Sequence, residues 1–185
     1  MKYPFIAGNK LYLRPLEKSD LNENYLKWIN CPEVTEYMET GTFPTSMEKL
    51  EEYYRKMNTS PNHIILAIVD IGTDYHIGNI TLNNINWVNR IANIGIMIGN
   101  KDYWGKEYGT EAVKLITRYA FTVLNLHKIW ASMYEEHKAS VKAFDKAGFS
   151  IEGCLKNELY QKGRYHNRII MSIINESGGS NDGFK

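Results

Sequence analysis

Residues Asn93–Ala112 read NIGIMIGNKDYWGKEYGTEA, a strand, a loop and the start of a helix in succession. Ile94, Ile96 and Ile98 alternate with Gly95 and Met97, the period of two expected of a strand with one face in a core. A loop holding Gly105 and Gly109 follows at once. Beyond it Ala112, Leu115, Ile116, Tyr119, Ala120 and Val123 recur at i, i+3, i+4, i+7, i+8 and i+11. That is the apolar stripe of an amphipathic helix, and Asn125 fits its end. A strand that runs through a glycine-bearing loop into a helix aims unpaired backbone N–H groups at the loop. The aligned peptide dipoles add about half a positive charge there. Together they make an anion site suited to a pyrophosphate, with Lys101 and Lys106 flanking it as cations. The spacing is neither the G-x-G-x-x-G of a dinucleotide fold nor the G-K-[ST] of an NTPase loop. Taken alone, the same glycines also fit an ordinary strand–helix turn.

Upstream, Lys10–Arg14 alternates as a short strand closed by Pro15. Asp20 is placed to cap a helix carrying Tyr25, Leu26 and Trp28, which Pro32 ends. Thr45 with Glu48 forms a capping box that opens a helix through Tyr53. Ile64–Val69 and Ile77–Leu82 are continuous apolar runs suited to buried strands. Downstream, Lys128–Tyr134 is rich in strand-forming side chains. Lys138–Lys146 reads as a short helix stopped at Gly148. Phe149–Leu159 and Tyr165–Ile174 read as a hairpin joined through Lys162-Gly163. The order is strand, two helices, three strands, helix, strand, helix, two strands. It predicts an α/β (α+β) architecture, a mixed sheet with helices on its faces.

Composition narrows the function. Lys plus Arg number 22 against 21 Asp plus Glu, a net charge of +1, so the basic excess of a nucleic-acid-binding protein is missing. The 43% hydrophobic and 23% charged fractions are those of a globular chain rather than a disordered one. A chain of this length buries roughly 70% of its unfolded surface, enough for one core, which gives a single domain over 1–175 and a flexible polar tail over 176–185. Cys31 and Cys154 lie far apart, which excludes a disulfide scaffold and a Cys-rich metal site; no metal is expected. No apolar run approaches the roughly 20 residues that span a bilayer, and Met1-Lys2-Tyr3-Pro4 lacks a signal-peptide core. A cytoplasmic protein without nucleic-acid or membrane partners, monomer or homodimer, is the expectation.

The second half of the chain resembles the GCN5-related N-acetyltransferases (GNAT), in the branch of the ribosomal-protein serine/alanine acetyltransferases. The residues that carry the resemblance are Trp104-Gly105-Lys106-Glu107-Tyr108-Gly109-Thr110-Glu111-Ala112, then Tyr119-Ala120-Phe121 with Leu124-Asn125-Leu126-His127-Lys128. Ser140, Lys146-Ala147-Gly148-Phe149, Glu152-Gly153 and Gly163-Arg164-Tyr165-His166-Asn167 continue it. Leu13-Arg14-Pro15-Leu16 and Trp28-Ile29-Asn30 look like the branch's opening. Phe121–Lys128 and Tyr165–Asn167 are also similar to spermidine acetyltransferases. The resemblance implies a mostly antiparallel sheet in which the strand of Ile94–Ile98 carries a bulge and splays from Lys128–Tyr134. It implies acetyl-CoA as cosubstrate, its pantetheine arm in the wedge between those strands and its pyrophosphate on Trp104–Thr110. The amine attacks directly through a tetrahedral intermediate, and a backbone N–H near Met97 or Ile98 stabilises the oxyanion.

Three positions depart from the family pattern. Glu107 stands where the phosphate loop has Gly, and its charge opposes the phosphates. Phe144 replaces a tyrosine thought to protonate the leaving thiolate. Asn93 replaces a common glutamate. Ser140 is then the nearest proton donor, and His137 a partner or relay for the cofactor arm. Glu135, Glu136, Glu158 and His166 are the remaining base candidates. Glu111, in the first helical turn, reads as a dipole-stabilising charge. Without a strong base, a lysine-type amine of pKa near 10.4 is penalised by roughly 4 kcal/mol at neutral pH, an α-amine by under about 1 kcal/mol. A low-pKa primary amine is therefore the expected acceptor: an amino sugar, a sugar nucleotide or an amino acid derivative. The alternatives are a ribosomal-protein or peptide N-terminus, a polyamine, or a non-catalytic acyl-CoA sensor. Trp28, Asn30, Tyr37, Met38 and Phe43, with Glu33, Glu36 and Glu39, are the candidate acceptor surface.

Overall fold

A computed structural model describes residues 3–176; beyond its first residue, the expected tail at 176–185 lies outside them. In chain order the elements are β1 (Ile6–Ala7), β2 (Leu11–Pro15), α1 (Glu23–Ile29), α2 (Met47–Thr59), β3 (Ile64–Asp70), β4 (His76–Asn86), β5 (Ile91–Ile98), α3 (Tyr108–Thr122), β6 (Lys128–Tyr134), α4 (Lys138–Lys146), β7 (Ser150–Gln161) and β8 (Arg164–Ile174). The eight strands form one sheet in the order β1-β2-β3-β4-β5-β6-β8-β7. Every neighbouring pair is antiparallel except β5 and β6, which run parallel.

Helices cover both faces because the sheet is apolar on both. The stripe read from Ala112 to Ala120 packs α3 with Leu13, Ile68, Ile80 and Ile129 in one core, which α4 joins through Phe144. On the other face Tyr25 and Ile29 of α1 and Leu50 and Met57 of α2 pack with Tyr12, Ile65 and Met97. β5 contributes to both, since Ile94 goes to the first core and Met97 to the second.

The caps differ from the expectation. Asn22, not Asp20, caps α1, accepting from the N–H groups of Asn24 and Tyr25 at 3.0 and 3.3 Å. Asp20 closes a short 3-10 turn and is buried against Arg14 at 2.6 Å. Ser46, not Thr45, caps α2. Glu111 does more than face the dipole of α3: its carboxylate accepts from the backbone N–H groups of Asn9 and Lys10, tying the turn after β1 to the helix. Among the described residues, no helix is long and apolar enough to cross a membrane.

The consequential feature is the β5–β6 junction. The two strands pair only at Ile91–Lys128, Ala92–Ile129 and Asn93–Trp130. Beyond Asn93 they diverge, although β5 runs on to Ile98 and β6 to Tyr134; the bulge expected within Ile94–Ile98 is not there, since the register with β4 is unbroken from Asn93 to Ile98 and shifts only between Asn83 and Asn86.

Candidate functional site

Which backbone groups the divergence frees follows from the ladders on either side. In an antiparallel pair, facing residues alternate between exchanging hydrogen bonds and pointing theirs outward. The Gly99 N–H donates to Ile77 O at 2.9 Å, so by the register Met97 and Gly95 bond to β4. Ile96 and Ile98 then turn their backbone groups toward β6. Likewise the Glu135 N–H donates to Asn167 O and the Asn175 N–H to His127 O, so Ser132 and Tyr134 turn theirs toward β5. Past the last paired residue these groups meet no strand. Two carbonyls are satisfied locally: Ile98 O accepts from Trp104 Nε1 at 2.7 Å, and Tyr134 O from the His137 N–H at 3.0 Å. The Ile98 N–H faces the gap, whereas the Met97 N–H lies on the β4 side.

The gap opens into one cleft of about 1030 Å3. One end is the mouth of α3, where Trp104, Gly105, Glu107, Tyr108, Gly109 and Thr110 line the wall; Lys106 is not on it, and its carbonyl accepts from Lys10 Nζ at 3.0 Å. Gly105 has φ +71° and open space around it, so its backbone conformation is what requires glycine. Glu107 takes the same left-handed conformation at φ 71°. Its carboxylate is turned to Lys146 at 2.5 Å, and this bond holds its pKa below the usual range. Lys101, expected at this mouth, is instead paired with Glu33 at 2.5 Å.

The other end is roofed by the segment 33–40 between α1 and α2. Tyr37 stacks on His137 with centroids 4.4 Å apart and rings 15° from parallel, and also meets Tyr134 at 5.5 Å. Glu36 pairs with Lys162 at 2.7 Å, and its carbonyl accepts from Gln161 Nε2. His137 opens α4 and lines the cleft with Ser140. Burial pushes the imidazole pKa down, with the nearby Glu36 opposing, so the ring is neutral at neutral pH. Phe144 is buried edge-on against Phe149 and offers no proton.

Of the residues singled out from sequence, Met97, Ile98, Trp104, Gly105, Glu107, Tyr108, Gly109, Thr110, Tyr37, Met38, His137 and Ser140 are brought together around this cleft. Trp28, Asn30, Phe43 and Glu135 are not. Trp28 packs against Gly99, where an added Cβ would sit 2.1 Å from the indole, and against His76 at 5.2 Å. Asn30 closes the following loop by bonding Thr45 O and N–H at 2.8 and 2.9 Å. Phe43 is exposed. Glu135 accepts from Asn167 Nδ2 at 2.8 Å. His166 is buried beside Tyr134 and bonds Glu136 at 2.9 Å. Among the cleft residues that escaped the sequence reading, two bring polar chemistry to the acceptor end. Tyr134 brings a buried phenol whose pKa burial raises. Arg168 reaches in from β8.

Comparison with known proteins fits this geometry. Residues 10–150 match the model of the acetyltransferase (GNAT) domain. The chain is 32% identical over 169 residues to the spermidine N(1)-acetyltransferase of Escherichia coli K12, covering 91% of this chain and 88% of that protein. A putative ribosomal N-acetyltransferase of Bacillus subtilis is 32% identical over 97 residues, 52% of each chain. Among solved structures, the spermidine N-acetyltransferase of Vibrio cholerae, in complex with CoA and spermine, superposes with a TM-score of 0.81 at 30% identity, covering 89% of this chain and 95% of that one.

Proposed function

The chain belongs to the GNAT family of N-acetyltransferases, and from that premise we propose that it carries the acetyl group of acetyl-CoA to a primary amine of low basicity, such as that of an amino sugar, a sugar nucleotide or an amino acid derivative. The observation that carries this reading is the three-residue β5–β6 ladder, because it leaves donors facing a cleft that connects a helix N-terminus to a separate acceptor face.

The residues fit a pantetheine nucleotide. The N–H groups of Tyr108, Gly109 and Thr110 at the start of α3 would take the pyrophosphate, and the open edges of β5 and β6 would bond the amide-bearing arm. When bound, acetyl-CoA supplies an activated thioester. The Ile98 N–H, which faces the gap, would donate to its carbonyl oxygen, and a preorganised donor of this kind is worth about 3 kcal/mol in the transition state. Ser140 and Tyr134 are two of the hydroxyls on the cleft wall that could give a proton to the departing sulfur. Segment 33–40 roofs the face from which the amine approaches.

Three of the carboxylates around the acceptor end are engaged, and Glu39 is left mostly in water. Glu33 is held by Lys101, Glu36 by Lys162 and Glu136 by His166; the bonds from Lys101 and His166 keep Glu33 and Glu136 below the usual carboxylate range. Such groups are poor bases toward an ammonium of pKa near 10. At pH 7.5, kcat/KM for amino-sugar and α-amino acceptors is expected to exceed that for spermidine by at least about tenfold, and their profiles to level off near pH 8 as the amines lose their protons. His137, whose imidazole is already neutral, adds no inflection above about pH 6.5. Thiol release measured over a pH series decides it, and a spermidine preference at every pH contradicts it. A polyamine acceptor is the second reading, favoured by the similarity to spermidine acetyltransferases and by Glu33, Glu36 and Glu39 on the roof. It requires the lysines now paired with Glu33 and Glu36 to give way.

A further inference from the structure

Arg168 stands on β8 directly opposite Tyr134 of β6. Facing residues of an antiparallel pair share one side of the sheet, so its side chain lies on the acceptor face under segment 33–40 and lines the cleft there. The side chain is only 27% exposed, yet its donors are poorly used. Nη1 donates to Ser132 Oγ at 3.1 Å. Nε lies 2.9 Å from Glu158 Oε2 but is misaligned for a hydrogen bond and counts among the buried atoms without one. Among the described residues Nη2 finds only Glu39 Oε1, at 3.7 Å, beyond hydrogen-bond reach, and that carboxylate is 85% exposed on the roof. A guanidinium has five N–H donors in a rigid planar fork, and leaving such donors unmade in a half-dry cleft is costly. The group that satisfies a planar fork is an oxyanion held by two parallel bonds.

The geometry points to Arg168 as the residue that selects the acceptor by its charge: the substrate is a primary amine that also carries an oxyanion, a carboxylate or a phosphate, which takes Nη2 in place of Glu39. The assignment rests on the acetyl-transfer reading above and names the substrate class within it. Arg168 lies next to Ser132 on β6, at the gap through which the amine reaches the thioester, so the oxyanion and the amine belong to the same small molecule. A polycation gains nothing from this cation and is repelled by it. Glu39, on a roof segment and mostly in water, is the partner that gives way.

The test uses matched pairs of amines with the purified full chain and acetyl-CoA: an amino acid against its amide, and an amino-sugar phosphate against the free amino sugar. In at least one pair, kcat/KM of the anionic member exceeds that of the neutral one by about tenfold or more, carried by KM. Whichever pair responds distinguishes a carboxylate from a phosphate. Arg168→Gln brings that ratio close to one and Arg168→Lys leaves it in between. Because the ratio is taken within one preparation, partial misfolding does not alter it. A ratio near one for both pairs in the unaltered protein, an unchanged ratio in Arg168→Gln, or spermidine outrunning both anionic amines overturns the assignment while leaving acetyl transfer intact. Binding of acetyl-CoA with turnover of no amine overturns the transferase reading, and the assignment with it.

Discussion

Replacing Asp20 with Ala is expected to cost about 3–5 kcal/mol of folding stability, the penalty for stranding a buried charge, and to lower Tm by roughly 6–20 °C for a chain of this size. Arg14 and Asp20 have side chains 11% and 7% exposed. They meet through two bonds of 2.6 and 2.7 Å, and Asp20 also accepts from the Glu17 N–H at 2.8 Å. Without Asp20 the guanidinium stays on β2, away from water and without its main partner. Burial alone would raise the Asp20 pKa, but the bonds from Arg14 and Glu17 outweigh it and the net shift is downward. Its contribution is therefore complete above the unfolded value near 3.9 and lost as pH falls through the lower folded value. His76, 3.9 Å away, adds to the same trend. Burial lowers its pKa, opposed by Asp20, so the unfolded chain takes up the proton first and stability declines as pH drops below about 6.5. Urea unfolding at pH 7, 5 and 3 checks both signs, the first step reporting on His76 and the second on Asp20. A loss below about 1 kcal/mol in the variant would mean that the pair is no more than a surface ion pair.

The second large effect is a gain. Glu107→Gly is expected to tighten acetyl-CoA binding about fivefold, the equivalent of removing about 1 kcal/mol of repulsion between a carboxylate and a phosphate a few ångströms apart in a partly wet site. Glu107 sits in the left-handed region at the first residue of the α3 mouth, where a side chain costs roughly 1–2 kcal/mol. Glycine removes that strain but is freer in the unfolded chain. The lost pair with Lys146 is exposed on both sides and, screened by water, contributes little to stability. Stability should therefore change little while affinity rises, and Lys146 becomes free to face the phosphates. The gain should shrink at high salt, as a screened interaction does. Calorimetric titration of both proteins at two salt concentrations measures it. Unchanged or weaker binding in the variant would show that the Glu107–Lys146 pair belongs to the binding surface.

What could be read in the sequence was what repeats. α3 repeats its apolar period over four turns, and Leu11–Pro15, Ile64–Asp70 and Lys128–Tyr134 carry strand-forming runs. Their order was enough for a helix-covered sheet. What escaped depends on contacts between distant segments. Asp20 and Asn22 are equally good caps; Arg14 on the neighbouring strand takes the aspartate and leaves the asparagine to the helix. Trp28 and Asn30 looked like an acceptor surface, but a seven-residue helix has one face for the core, and its indole fills the space left by Gly99. The point at which β5 leaves β6 has no signature in residue type, since isoleucines pack equally well on paired and splayed strands. Arg168 did leave a trace: a lone cation ahead of the apolar run Ile169–Met171 needs an anion somewhere, because buried arginines are paired.

The most direct test of the central claim follows individual backbone amides by NMR while CoA or acetyl-CoA is added. The Ile98 amide and those of Tyr108, Gly109 and Thr110 are expected to shift and gain protection from exchange, while the Met97 amide, already bonded to β4, keeps its protection. Saturating ligand that leaves the Ile98 and α3 amides untouched, or perturbs a surface away from the gap, contradicts it.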